Sequence, residues 1–211
     1  MVSLKDMRLK AFVKSQTKEA LLKVGRKLVS EKGVDALSAR KLAVAANSSV
    51  GVIYNLFMTM DNFVVEQNVI TLNDLYSQLE SVVLSGNAFN NLNRYADILS
   101  AYITANPNLW YLLYTRHLSE NANKSSIAEA RIIKKIDVLI SMQVAPLIGG
   151  MTGKEKRLSI KVLEMSLFAL SGYLLGNKLG KKSGVNRYNL CKLLMNTYVA
   201  GLACLKGQNR C

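Results

Sequence analysis

The sequence predicts an all-α fold in two parts, and three observations carry that expectation. Apolar residues recur at three- and four-residue steps along nearly the whole chain, with no sustained strand-like alternation. The 211 residues include only 2 prolines, so little interrupts a helix. Half of them are hydrophobic, enough to fill a core and to argue against disorder.

The elements follow in order. A first helix is expected over Thr17–Lys32, with Thr17 as N-cap and Leu21, Val24, Leu28 and Val29 as its buried stripe. Gly33 suits the left-handed residue that closes it. Ser38 caps a short helix, Ala39–Ala46, with Leu42 and Ala43 inward. Asn47-Ser48-Ser49 is a polar break, and Val50–Phe57 is a helix of barely two turns. Thr59 caps a fourth helix reaching about Leu84. Beyond Ser85-Gly86-Asn87 the expected spans are Asn90–Ala105, Pro107–Ser119, Ser125–Ala145, Lys154–Leu179 and Asn186–Leu205. Pro107 fits a first helical turn, and Gly149-Gly150, Gly180 and Gly184 mark the later breaks. The expected division is a three-helix domain over 1–63 and a larger helical domain over 64–211.

Charge points to a partner. The chain has 28 Lys+Arg against 14 Asp+Glu, a net +14. Residues 1–58 hold 11 of the cations and four acids (Asp6, Glu19, Glu31, Asp35), so half of the surplus sits in the first quarter. Such a field favours a polyanion, either nucleic acid or an acidic membrane face.

Other classes are weakened. The three cysteines, Cys191, Cys204 and Cys211, are an odd number without a CxxC or Cys/His cluster. No disulfide framework, metal site or cofactor is expected. The charged N-terminus is unlike a secretory signal, and the uncharged stretch Met165–Asn177 is too short to span a bilayer. A reducing cytoplasm is the expected compartment. Gly149 to Lys154 superficially suggests a phosphate loop, but its spacing is one residue short and Glu155 stands where Ser or Thr is needed. With one histidine and no nucleophile elbow, no catalysis is expected.

Two short helices joined by a three-residue polar turn, inside the basic region, describe a helix-turn-helix. The run Ala36-Leu37-Ser38-Ala39-Arg40-Lys41-Leu42-Ala43, followed by Ala46-Asn47-Ser48-Ser49-Val50-Gly51-Val52-Ile53-Tyr54-Asn55-Leu56-Phe57, resembles the N-terminal domain of TetR-family regulators. The resemblance covers about Thr17 to Phe63 and implies a recognition helix of the form Ser-x-Gly-x-x-Tyr-x-x-Phe. It implies double-stranded DNA as partner, with contacts from Thr17, Ser38, Arg40, Lys41, Ser49, Val50, Gly51, Val52, Tyr54, Asn55 and Thr59. Ser49 can cap the recognition helix and turn its positive end to phosphate. Gly51 allows either backbone approach to DNA or a tight helix contact. Tyr54 can bond a phosphate with its ring packed inward, or be wholly buried. Val50 and Val52 can touch thymine methyls, and Asn55 can pair with adenine. Ile53 and Phe57 are expected in the core.

The chain also departs from that family, which often has glycine at position 47, lysine at 50, threonine at 52, tyrosine or histidine around 55–56, and lysine at 58 and 60. Here stand Asn47, Val50, Val52, Asn55, Leu56, Met58 and Met60. The reading helix is unusually apolar and two phosphate-binding lysines are missing. Affinity would lean on Arg40, Lys41 and the basic arm of residues 1–18.

The run Asn106 to His117 resembles, more faintly, a TetR C-terminal subgroup marked by Trp, His and a later Gly. The resemblance implies a one-component regulator, a repressor by preference, released by a small apolar or aromatic effector. Trp110, Tyr114 and His117 share one helix face and, with Met165 and Phe168, are the expected ligand contacts; Tyr173 and Met195 are further candidates. A homodimer is expected through the last two helices. Leu158, Val162, Met165, Phe168 and Tyr173 on one, and Leu190, Leu193, Leu194, Val199, Leu202 and Leu205 on the other, form stripes too broad for one small core. The alternative is a basic amphipathic helical protein that binds acidic membrane surfaces without sequence-specific DNA recognition.

Overall fold

The computed structural model describes residues 4–118, 126–176 and 187–208, with the side chains of 4–6, 117–118, 187–189 and 206–208 excepted. Among the described residues run nine α-helices: α1 (Leu4–Lys32), α2 (Ala39–Ala45), α3 (Val50–Phe57), α4 (Met60–Glu80), α5 (Ala88–Ala105), α6 (Pro107–Leu118), α7 (Ile127–Val144), α8 (Gly153–Gly176) and α9 (Arg187–Gln208). They fall into two compact units. Unit 1 is Met1–Thr71 with Asn108–Ser126; unit 2 is Leu72–Pro107 with Ile127–Cys211. Helix α4 therefore belongs to unit 1 up to Thr71 and to unit 2 beyond it, while α6 from Asn108 belongs to unit 1.

In unit 1, α1 begins at Leu4, thirteen residues before the expected start. Thr17 is not an N-cap. It lies within the helix, its hydroxyl donating to the Val13 carbonyl at 2.8 Å, a back-bond that threonine makes inside helices. No glycine or proline stands between Leu4 and Val24 to stop the helix. It ends at Gly33, whose φ of +81° suits a residue without a side chain.

One buried cluster holds unit 1 together: Leu21, Leu42, Ala43, Ile53, Phe57 and Phe63. Phe57 and Phe63 meet edge to face, centroids 4.9 Å apart and planes at 77°, the arrangement favoured by the ring quadrupoles. The Phe63 ring lies directly on Gly25. A Cβ there would overlap the Phe63 Cζ and stand 2.9 Å from its Cε1. Gly25 is thus the seat on α1 for the first turn of α4.

Helix α6 packs on the same unit. Leu109 and Leu112 bury against Val29, Asn108 Nδ2 donates to the Ser30 carbonyl at 2.9 Å, and Arg116 pairs with Asp61. In unit 2, α5 packs against α7, α8 and α9. Its Asn91, 2% exposed, donates to Gln143 Oε1 at 2.8 Å and to the Ser85 carbonyl at 2.9 Å. It also accepts from the Ser85 N–H at 2.8 Å, which ties the α4–α5 connection to α7.

Gly25→Ala should destabilise the chain by about 2 kcal/mol, because one added methyl cannot fit without moving Phe63. Urea titration followed by helical circular dichroism measures it. An unchanged midpoint would mean that the ring yields freely.

Candidate nucleic-acid interface

Local chemistry sets α2, the turn and α3. Ser38 Oγ accepts from the Lys41 N–H at 3.3 Å, and Ser49 Oγ accepts from the Val52 N–H at 3.3 Å. Each serine satisfies one of the orphan donors of its helix. Between them Asn47 takes φ +47°. Asparagine is among the few residues that adopt this left-handed conformation readily. The turn closes with the Ser48 N–H on the Ala43 carbonyl at 2.9 Å.

Helix α3 has two faces. Ile53 and Phe57, 0% and 2% exposed, fix one of them in the core, as the sequence predicts. Gly51, Tyr54 and Asn55 lie exposed on the other. Tyr54 is 47% exposed, so it is not a core tyrosine. A Cβ on Gly51 would meet only Ser49 Oγ, at 3.7 Å. Among the described residues no neighbouring helix accounts for that glycine. Val50 and Val52 are half-buried against the core cluster, so only part of each side chain is free to meet a base.

Around α3, Arg40 and Lys41 are exposed on α2, and Lys41 Nζ donates to the Asp35 carbonyl at 2.9 Å. Thr59 Oγ1 accepts from the Asn62 N–H at 3.0 Å and caps α4. Thr17 is half-buried on α1, bonded to its own helix.

Sequence reasoning missed the joint between α3 and α4. Met58 takes φ +66° and ψ −46°, and the Thr59 N–H bonds the Phe57 carbonyl at 2.8 Å. This is a γ-turn of the strained hand, adopted by a residue with a side chain. The only sequence signal is its position, in a two-residue gap between two helices.

The expected ligand contacts are divided between the two units. Trp110, buried, and Tyr114, half-buried, lie on α6 in unit 1. The His117 side chain lies outside the described residues. Met165 and Phe168, on α8 in unit 2, are 63% and 42% exposed. Neither lines the small cavity of unit 2, about 50 Å³, whose walls include Leu75, Leu79, Leu92, Tyr95, Leu163 and Met195. Of the further candidates only Met195 does. The reason is that spacing identifies an apolar face without identifying what covers it; the leucines of α6 cover Val29 of α1. A second, more open groove of about 490 Å³ runs between α8 and α9, lined by Leu158, Val162, Leu194, Tyr198, Leu202 and Leu205 among others. The apolar run at Met165 belongs to a helix of 24 residues, which by length and composition alone could cross a membrane.

Met58→Gly should raise stability by about 1 kcal/mol, because glycine adopts a positive φ without steric cost. Thermal unfolding reads it directly, and an unaltered Tm would show that Met58 is relaxed.

No curated protein matches the chain by sequence. Residues 21–66 match the family model described as bacterial regulatory proteins, tetR family. Among solved structures, a protein of unknown function from Rhodococcus sp. RHA1 is similar, with TM-score 0.69 at 19% identity over 89% of this chain and 95% of that one. The TetR family transcriptional regulator PfmR from Thermus thermophilus gives 0.61 at 14%, covering 85% and 97%. The transcriptional regulator FadR from Bacillus subtilis, in complex with stearoyl-CoA, gives 0.65 at 13%, covering 87% and 96%. These likenesses show the fold, an N-terminal helix-turn-helix followed by a helical C-terminal region, and the match over 21–66 falls on the capped α2–turn–α3 unit. The membrane-surface alternative finds no support in them. Residues 21–66 are thus similar to the domain that marks bacterial regulatory proteins of the tetR family, and the chain as a whole shares the fold of the solved regulators.

Proposed function

We propose that the chain is a cytoplasmic one-component repressor that binds a palindromic operator as a homodimer and leaves it when a small apolar molecule enters unit 2. The observation that carries the DNA reading is α3 itself: a helix anchored by Ile53 and Phe57, capped by Ser49, and presenting Gly51, Tyr54 and Asn55 outward. Tyr54 and the backbone at Gly51 contact phosphate, while Asn55 and the free parts of Val50 and Val52 meet base edges. Arg40 and Lys41 add affinity without sequence preference, and Ser38, Thr17 and Thr59 act by holding their helices. In folded protein, Tyr54→Phe should weaken operator binding by about 1 kcal/mol, the worth of one hydrogen bond, and Gly51→Leu by more. Anisotropy titrations in which both variants bind like wild type would remove α3 from the DNA.

The exposed apolar faces of α8 and α9 support the dimer. Leu158, Val162, Met165 and Phe168 on α8, with Leu193 and Leu205 on α9, are each at least 42% exposed. Leaving so many large apolar groups in water is costly for a monomer, and a two-fold partner covers them. Val162→Glu, at a site already exposed in the single chain, should leave the fold intact and give monomers that lose operator binding. Sedimentation decides: a wild type that is monomeric at micromolar concentration rules the dimer out.

The cavity in unit 2 supports an apolar effector. At about 50 Å³ it holds roughly one or two water-sized groups, so an acyl chain like the one bound to Bacillus subtilis FadR would require its walls to part. A ligand that fits only the parted form shifts the population toward it. Helix α5, which lines the cavity through Leu92 and Tyr95, is joined through Asn106 alone to α6, the helix packed on α1. Met195→Trp should fill the cavity and abolish release by acyl compounds while DNA binding persists. Equal release of wild type and variant in a gel shift would put the effector elsewhere.

A further inference from the structure

Helix α1 is longer than its domain needs. Its buried contacts begin at Leu21, yet it runs back to Leu4. Met7, Leu9, Phe12 and Val13 are each more than half exposed there. Residues 1–18 contain five cations, Lys5, Arg8, Lys10, Lys14 and Lys18, and one acid, Asp6. Lys18 is committed inside the unit, bonded to Glu66 at 2.6 Å and placed 5.4 Å from the centroid of Phe57 on α3. Among the described residues none forms an ion pair with Arg8, Lys10 or Lys14. Lys10, Lys14 and Lys18 follow one another at four-residue steps, so they form a row along one face. The row starts beside the recognition helix and extends about 12 Å from it. At that same end of α3 the exposed side chain is Met58, which carries no charge.

We propose that the exposed N-terminal turns of α1 bind the phosphates of duplex DNA flanking each half-site, and supply the anchoring charge that the end of α3 lacks. The proposal rests on the DNA reading above. Charge complementarity selects the occupant: the row is cationic, belongs to the same compact unit as the reading helix, and starts at a residue touching it. Phosphate contacts of this kind carry affinity and salt dependence rather than sequence preference.

The test compares the full-length wild type with the triple variant Arg8→Gln, Lys10→Gln, Lys14→Gln. These side chains are exposed, so helical content and Tm should be unchanged. Anisotropy titrations use operator fragments selected from genomic DNA, over a series of KCl concentrations. The slope of log K against log salt should become shallower by about 0.9 for each phosphate no longer neutralised, nearly 3 per subunit, with affinity falling on all duplexes alike. Adding Met58→Lys to the triple variant should restore about one such unit. An unchanged slope in a variant that still binds the operator overturns the proposal and leaves the DNA reading standing. A wild type that binds no duplex overturns both. Loss of binding to phosphatidylglycerol vesicles with an unaltered DNA slope also overturns it and assigns the row to a membrane surface.

Discussion

The seat of Phe63 on Gly25 is the contact on which the DNA-facing part of this molecule depends. A phenyl ring in van der Waals contact with a helix backbone fixes both the distance and the rotation of α4 against α1. Phe57 meets that ring edge to face, so the last turn of α3 is placed by the same contact. Because Phe57 and Ile53 are the two buried residues of α3, the direction in which Gly51, Tyr54 and Asn55 face follows from where Phe63 sits. A helix of eight residues has little stability of its own. Its orientation is borrowed from this aromatic pair.

Much of this is legible without coordinates. The serine caps at 38 and 49, the threonine cap at 59 and the helix Val50–Phe57 agree with the structure, because capping and turn chemistry act within three or four residues. Where local signals fall short, the cause is of the opposite kind. Thr17 has the right residue type for a cap, but nothing upstream breaks the helix, so the local preference is overridden by simple continuation. Spacing places Trp110 and Tyr114 correctly on one helix face. It does not give their surroundings, since the leucines that decide which unit α6 joins are answered by Val29, some 80 residues earlier. The strain at Met58 is invisible because nothing in the residue's chemistry requests it; two helices with only Met58 and Thr59 between them impose it.

The distribution of polarity gives the two ends of α3 different tasks. Its start is a capped helix end, positive by its free N–H groups and by Ser49's neighbourhood, and suits an anion. Its finish carries no cation of its own: Lys18 of α1 lies over Phe57, and an exposed methionine in a strained turn follows. A reading head that is apolar along its middle can discriminate methyl groups and amides well, but it holds a charged duplex weakly. In the DNA reading proposed above, affinity comes from cations on other elements, and α1 and α2 carry Arg8, Lys10, Lys14, Arg40 and Lys41.

Helix α4 joins the two kinds of packing in one rod. In unit 1 it is fastened by directional bonds as well as by Phe63: Gln67 Nε2 donates to the Leu22 carbonyl at 2.8 Å, and Arg26 donates to Thr71 Oγ1 at 3.0 Å. Gln67, Asn68 and Thr71 are almost wholly buried, at 0%, 0% and 1% exposed. In unit 2 the same helix presents Leu72, Leu75 and Leu79, all buried and all apolar. Apolar contacts tolerate sliding by fractions of an ångström, whereas a buried amide deprived of its partner costs about 1–3 kcal/mol. The segment to Thr71 is therefore locked in register against α1.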